Sequence, residues 1–489
     1  MPLVQPAIDW HALSPEIVLA ITACIVLVAD LFLPQDAKSV AMPLSAAGVF
    51  GTLAAVVSLI GRHPSYTLAG AYQLDHFALL FKGLFCVIGL IVLAISFHYF
   101  RTGHYYQGEY YFLMLCSLLG GLVMSSARDL ITIFIAIELI SVPAFVMTAL
   151  RKSDPKSNEG SLKFFLFGVL SSAVMLYGMS LIYGVTGHTQ VDAIRTSLAG
   201  GGTKPIIVLS VFFVVVGFAF KISAVPFHFW APDTYEGSPP PVAAFLSTSS
   251  KIGGFVGLLV LMFRAFPEVA NTWRPIFAVL AVLTMTVGNL IALRQQHIIR
   301  LLAYSGIAQS GYILVAFALI DPNSPTVSHQ AFVSALVYIA IYGLMDLGAF
   351  SAVIAFARKG GSYFISDYDG LWQRSPVLAT LLAGFLISLA GVPPMAGAWA
   401  KLFIFLAAIR AQVFWLAAVM GVNAVIAAWY YLAVVKRMFF DPPETDEVVE
   451  VPYLMQAAMG IAALALVATF VYPQLITHLA DNSVLQIPH

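Results

Sequence analysis

Fourteen long apolar segments, separated by short polar turns, leave this chain one kind of fold. They run over about residues 13–33, 40–60, 76–97, 110–126, 129–149, 161–184, 205–229, 241–263, 274–293, 298–320, 328–357, 376–408, 412–435 and 453–474. A helix that crosses a bilayer needs about 20 apolar residues. The segments are continuous rather than alternating, which excludes a transmembrane β-barrel. Charged residues are 10% of the chain, against roughly 25% in a soluble domain. Lys plus Arg and Asp plus Glu both number 24, so no basic field is present to draw a nucleic acid. The expected fold is an all-α integral membrane protein of fourteen transmembrane helices. It forms a single polytopic domain over 1–489 in a lipid bilayer, with no nucleic-acid partner.

The connections carry turn chemistry at Pro34–Asp36, Arg62–Pro64, Gly103, Asp154–Pro155, Gly200–Gly202, Asp321–Pro325, Gly360–Gly361 and Asp441–Pro443. Loops after odd-numbered segments hold Lys38, Arg101, Arg151, Lys152, Lys156, Arg294, Arg300, Arg358, Lys359, Arg374, Lys436 and Arg437. The alternate loops hold Arg62, Arg128, Arg195, Lys204, Arg264, Arg274 and Arg410. The positive-inside rule then places both termini outside. No Lys or Arg precedes Lys38, so no cleavable signal is expected.

Five basic residues remain, all inside apolar segments and all lysines: Lys82, Lys163, Lys221, Lys251 and Lys401. A charge at mid-bilayer costs about 2.5–3.5 kcal/mol on insertion scales. Lysine is the informative choice, since it can release a proton where arginine stays charged. Lys82 lies only a few residues into its segment and reads as a snorkelling or statically paired side chain. The other four lie deeper or beside a helix break.

Two acids share the membrane with them. Glu138 is near the middle of the fifth segment, with Lys163 on the next as a candidate partner and Glu159 as a rival partner for that lysine four residues earlier. Making or breaking a pair that moves a pKa by two units changes free energy by about 2.7 kcal/mol. Moving one proton against 100 mV costs about 2.3 kcal/mol, so such a pair has the size to gate one proton. Asp346 lies deep in the eleventh segment, where it is a candidate to steady a protonated Lys401 or to pass its proton outward.

The seventh and twelfth segments are interrupted. Pro226 follows Lys221 in KISAVPFH, and Pro393 and Pro394 precede Lys401 in GVPPMAGAWAK. The latter two free the carbonyls of Leu389 and Ala390, which then need water or polar side chains. Paired broken helices point to an inverted-repeat transport path. The expected repeats are segments 4–8, residues 110–263, and segments 9–13, residues 274–440. His228 is a candidate relay between lysines, because its ordinary pKa is about 6.5; the plainer reading is a buried hydrogen-bonding histidine. Cys24, Cys86 and Cys116 sit at no metal or redox spacing. Gly200–Lys204 is no phosphate loop.

The stretch KISAVPFHFWAPDTYEGSPPP from Lys221 to Pro241 resembles the antiporter-like membrane subunits of respiratory complex I. So do RLLAYSGIAQSGY from Arg300 and GVPPMAGAWAKLF from Gly391. The likeness runs from about the third segment to the thirteenth. It is closest to the type that has lysine, not glutamate, at position 401 and no long lateral helix after the last shared segment.

The resemblance implies a proton-translocating subunit of a bacterial inner-membrane redox pump. Its functional charges fall on Glu138, Lys163, Lys221, Lys251 and Lys401, with His228 as relay. Protons would enter near segments seven and eight and leave near Lys401, and Glu138 with Lys163 would form a switching pair. The implied partners are other membrane subunits, including another antiporter-like one and a small subunit beside Glu138. Flavin, iron–sulfur clusters and quinone belong to partners, and no cofactor or metal is expected in this chain. Ala398 and Ala400 stand where the family often has glycines, and Asp346 where an uncharged polar residue is expected. The alternative is a cation/proton antiporter subunit without redox coupling.

Overall fold

Apolar sequence without water leaves the backbone one way to satisfy its hydrogen bonds segment by segment, the α-helix. A computed structural model of the chain describes residues 8–102, 107–199, 204–358, 362–443, 445 and 447–483. The turn residues Gly103, Gly200–Gly202 and Gly360–Gly361, the loop cation Lys359 and the two chain ends lie outside them. Among the described residues, 12 helices are long and apolar enough to cross a membrane. They match twelve of the fourteen segments. The other two are the interrupted ones, which begin with the shorter apolar helices Pro205–Lys221 and Pro376–Ala390.

The helices form an interior and a shell. In the stretches Pro240–Ala265, Ile298–Ala318 and Pro325–Ala357, the most apolar windows are 100%, 94% and 94% buried. Ala37–Ser58 and Phe414–Phe440 are only 28% and 33% buried. Their outward side chains, such as Phe50, Val422 and Val425, are apolar and suit contact with lipid. Polar groups on the three central stretches are therefore shielded by other helices.

Local sequence explains the ends. Asp154 accepts a hydrogen bond from the Lys156 amide and Pro155 occupies the first turn of Pro155–Thr186, a favourable start for a helix. This helix begins six residues before the expected segment, so Glu159 and Lys163 share one face of it.

The interruptions are complete breaks rather than kinks. The first helix of the seventh segment stops at Lys221, and helical structure resumes only at Trp230–Gly237. Within the gap the Val225 amide donates to Thr284 Oγ1 at 3.0 Å. In the twelfth segment Pro376–Ala390 ends on Gly391, and Gly397–Arg410 follows. Gly391 has φ +83°, and a Cβ there would lie 2.5 Å from Lys401 Cδ. Glycine meets both demands, the left-handed turn and the close approach.

One element departs from the all-helical expectation. Ser65–Thr67 pairs antiparallel with Tyr72–Leu74. Gln73 on this hairpin accepts hydrogen bonds from two buried arginines, Arg128 at 3.0 Å and Arg264 at 2.6 Å. Asp75 and Asp192 balance them, at 2.8 and 2.6 Å. Lys82 does not snorkel. It is fully buried and pairs with Glu16 on the first helix at 2.7 Å.

Candidate functional site

The buried charges fall along the interior from the fifth segment to the twelfth. Glu138, on Leu130–Thr148, is half-buried. Its carboxylate accepts a hydrogen bond from Ser172. One turn on, Ser141 Oγ accepts from Lys221 Nζ at 2.8 Å and donates to the Ile137 carbonyl at 2.5 Å. The end of a broken helix and the middle of an intact one therefore meet at a lysine and a serine, one turn from Glu138.

The expected Glu138–Lys163 pair does not form. Lys163 binds Asp233 at 2.7 Å and Glu159 at 2.6 Å. The rival acid Glu159 is thus a true partner, and Asp233 on Trp230–Gly237 is a second one. Arg300 bridges Asp233 at 2.9 Å and Glu236 at 2.8 Å, and Lys156 adds a bond to Glu236 at 2.7 Å. This makes a network of three cations and three acids at the mouth of the seventh-segment break. Burial alone would raise the pKa of Asp233, yet the bonds from Lys163 and Arg300 hold it below the ordinary carboxylate value. Glu236 is lowered in the same way, against burial, by Lys156 and Arg300.

Lys251 lies in the fully buried stretch Pro240–Ala265, directly after the π-helical turn Leu246–Ser250. Such turns are frequent at functional sites. Its Nζ has no hydrogen-bond partner among the described residues. Asp346 is fully buried on Pro325–Ala357, which packs against the turn Leu246–Ser250 and the helix that begins at Lys251. No hydrogen bond joins Asp346 to Lys401 among the described residues.

Lys401 makes different bonds. Its Nζ donates to the carbonyls of Leu389 at 3.1 Å and Ala390 at 2.7 Å. These are the two carbonyls that Pro393 and Pro394 free. Gln309 Nε2 also donates to the Leu389 carbonyl, at 2.9 Å, and contacts Tyr431 Oη at 3.4 Å. Tyr431 bonds Ser305, whose neighbour Gly306 borders Lys251 Nζ. Hydrogen bonds thus join Ser305, Tyr431 and Gln309, and Gln309 and Lys401 meet as two donors on the Leu389 carbonyl. Ser305 and Gln309 stand inside the RLLAYSGIAQSGY stretch, and Asp233 and Glu236 inside the stretch after Lys221. The sequence held them without showing what they bond.

His228 lies half-buried in the seventh-segment break, with Nδ1 unpartnered among the described residues. The structure does not bring it into contact with Lys221 or Lys251. Among the described residues, no three His, Cys, Asp or Glu side chains are grouped to hold a metal.

The family described as NADH:quinone oxidoreductase/Mrp antiporter, TM, matches residues 127–427. The chain belongs to that family. The NADH-quinone oxidoreductase subunit N of Moorella thermoacetica is 38% identical, over 97% of this chain and 98% of its own. The NAD(P)H-quinone oxidoreductase subunit 2 of Thermosynechococcus vestitus is 37% identical, over 92% and 86%. A chain of respiratory complex I from Thermus thermophilus superposes with a TM-score of 0.79 at 30% identity, covering 96% of this chain and 99% of that one. A chain of the Mrp complex from Dietzia sp. reaches 0.84 at 19% identity and shares the fold. In this antiporter-family chain the break lysines, Lys251, Asp346 and the Asp233 network all fall within the matched residues, whereas Glu16 and Lys82 precede them.

Proposed function

We propose that this chain is a proton-translocating membrane subunit of NADH-quinone oxidoreductase. The observation that carries the reading is the line of the buried groups Lys221, Lys251, Asp346 and Lys401 with the half-buried Glu138, set against two broken helices. A lysine held out of water can take and release a proton where an arginine cannot. Backbone breaks inside a membrane protein occur where they line a cavity or a polar path. The full-length relatives at 36–38% identity favour the redox-coupled complex over a free-standing cation/proton antiporter, since the Mrp chain shares only the fold.

Several finer features belong to this reading. The two broken segments each make a crossing, so the chain spans the bilayer fourteen times. Segments four and five pack closely, as do nine and ten, which supports inverted repeats over 110–263 and 274–440 within one domain. Protons enter near segments seven and eight, where the Asp233 network stands, pass Lys221 and Lys251, and leave near Lys401. His228 lines the break beside this route. Glu138 and Lys163 each keep a partly exposed side chain, which suits contact with a small neighbouring subunit. Another antiporter-like subunit is a further partner. The redox centres lie in partner subunits, and the complex sits in a bacterial inner membrane with both termini of this chain outside.

Peptide identification on the complex purified through this chain tests the assignment. Hydrophilic iron–sulfur subunits should accompany it, and NADH oxidation by quinone should acidify the interior of inside-out vesicles. Purification with cation-antiporter subunits alone would overturn it.

A further inference from the structure

Among the four fully or nearly fully buried lysines, Lys251 differs from the rest. Lys82 has Glu16, Lys221 has Ser141, and Lys401 has two carbonyls. Among the described residues, Lys251 Nζ has no hydrogen bond, and neither do the two carboxylate oxygens of Asp346. Both residues are 0% exposed. Isolated buried charges are costly, and the helix that carries Asp346 packs against both the turn Leu246–Ser250 and the helix that begins at Lys251.

The hydroxyls of Tyr342 and Ser247 stand beside them. Tyr342, one turn before Asp346, donates to the Ser247 carbonyl at 2.9 Å. Ser247 donates to the Ala244 carbonyl at 2.9 Å. Each of these two hydroxyls, placed beside Asp346, thus has a backbone acceptor of its own. A Cβ at Gly306 would lie 2.8 Å from Lys251 Nζ and 3.0 Å from Tyr342 Oη. The glycine leaves open the space in which the ammonium and the phenol approach each other.

We propose that Asp346 is the proton-accepting partner of Lys251, the two sharing one proton as a second acid–lysine unit alongside Glu138 and Lys221. An N–H bond of the Lys251 ammonium breaks and an O–H bond forms on Asp346, giving a neutral amine and a neutral acid. The pair carries no net charge before or after the step. It is therefore able to receive a further proton from the Lys221 side and release one toward Lys401. This inference rests on the proton-translocating function.

The test uses the whole complex in reconstituted vesicles, with proton transport measured per NADH oxidised. Asp346→Asn keeps the shape and removes ionisation. It should slow transfer through this subunit by about a hundredfold, the scale of losing one positioned acid–base group, while all subunits still co-purify. Asp346→Glu should restore most of the loss. Combining Asp346→Asn with Lys251→Met should be no worse than Lys251→Met alone, as expected for groups that act as one unit. Infrared difference spectra of the working wild-type complex should contain a carboxylic acid band that Asp346→Glu shifts. This readout holds even where the asparagine variant fails to assemble.

A normal Asp346→Asn complex beside a defective Lys251→Met complex would overturn the proposal and leave the general path intact. Normal pumping in both would overturn the path itself. An infrared spectrum unchanged by Asp346→Glu would also overturn the proposal.

Discussion

Lys401 Nζ lies 2.7 Å from the carbonyl oxygen of Ala390, so the lysine of the twelfth segment bonds the backbone group that Pro394 deprives of its helical donor. The same ammonium reaches the Leu389 carbonyl, which Pro393 frees. One side chain is both the cap of a broken helix and the last charge of the buried line. The two roles separate by substitution. Lys401→Met should lose both bonds; Gln309 still serves the Leu389 carbonyl, so the unpaired Ala390 carbonyl destabilises the break by about 1–3 kcal/mol, lowering the thermal midpoint of the complex. Lys401→Arg retains charge and donors but does not release its proton. It should keep most of the stability and lose pumping. Normal pumping in the arginine variant would reduce Lys401 to a cap.

Lys221 and Ser141 give a second prediction. Lys221→Arg should impair pumping nearly as much as Lys221→Ala, because a permanently charged guanidinium blocks a carrier site. Ser141→Ala removes the one hydrogen bond to Lys221 Nζ but leaves Glu138 in place. Its effect should be smaller, about 1.5–3 kcal/mol for a bond to a charged group, seen as slowed proton transfer with unchanged assembly. Transport rates of the three variants in vesicles decide the order; equal rates for Lys221→Arg and wild type would remove the carrier role.

Much of this arrangement was legible because it is local. Segment length and apolarity specify helices, and a proline names the carbonyls it frees. The need for a polar partner near Leu389 and Ala390 followed directly from Pro393 and Pro394. Pairings between distant segments were not legible in the same way. Lys163 and Asp233 are 70 residues apart, and only the packing of Trp230–Gly237 against Pro155–Thr186 joins them. Sequence proximity favoured Glu138, on the adjacent segment, but that side chain turns to Ser172 and toward Lys221. Asp346 was assigned to Lys401 on repeat topology alone. The eleventh segment in fact touches both lysine-bearing elements, so topology alone does not choose between Lys251 and Lys401. The hairpin around Gln73 escaped notice because strands of three residues carry almost no periodic signal.

The network at the mouth of the seventh-segment break predicts an acid limit. Asp233 and Glu236 are held below their ordinary values by Lys163, Arg300 and Lys156, against the opposing effect of burial. For a carboxylate lowered on folding, the stabilisation is present above its unfolded pKa, about 3.9 for Asp and 4.3 for Glu. It is lost as pH falls through the lower folded value. The thermal midpoint of the purified complex should therefore fall below about pH 4. Asp233→Asn should be less stable at neutral pH and show a flatter dependence there. An asparagine variant with the wild-type acid profile would remove Asp233 as a source of that dependence.

The last prediction concerns Lys82 and Glu16, which lie before the residues matched by the family. Their 2.7 Å bond is buried, and the Tyr72 hydroxyl joins it by bonding both Lys82 and Glu16. Tyr72 also donates to the Ala12 carbonyl at 2.9 Å. The trio therefore ties the first helix, the hairpin and the third helix together, with no hydrogen bond leading toward Lys251 or Lys221 among the described residues. A structural tie and a proton carrier respond differently to mutation. Breaking a buried pair from one side leaves an uncompensated charge and costs about 3–5 kcal/mol, whereas replacing both partners by apolar residues is often neutral or stabilising. Lys82→Met alone and Glu16→Gln alone should each lower the thermal midpoint and the yield of assembled complex. The double variant Lys82→Met with Glu16→Leu should recover both, and its proton transport per NADH should equal wild type. If the double variant is stable but does not pump, the trio is part of the proton path, and the line of carriers extends beyond the matched residues into the first three helices.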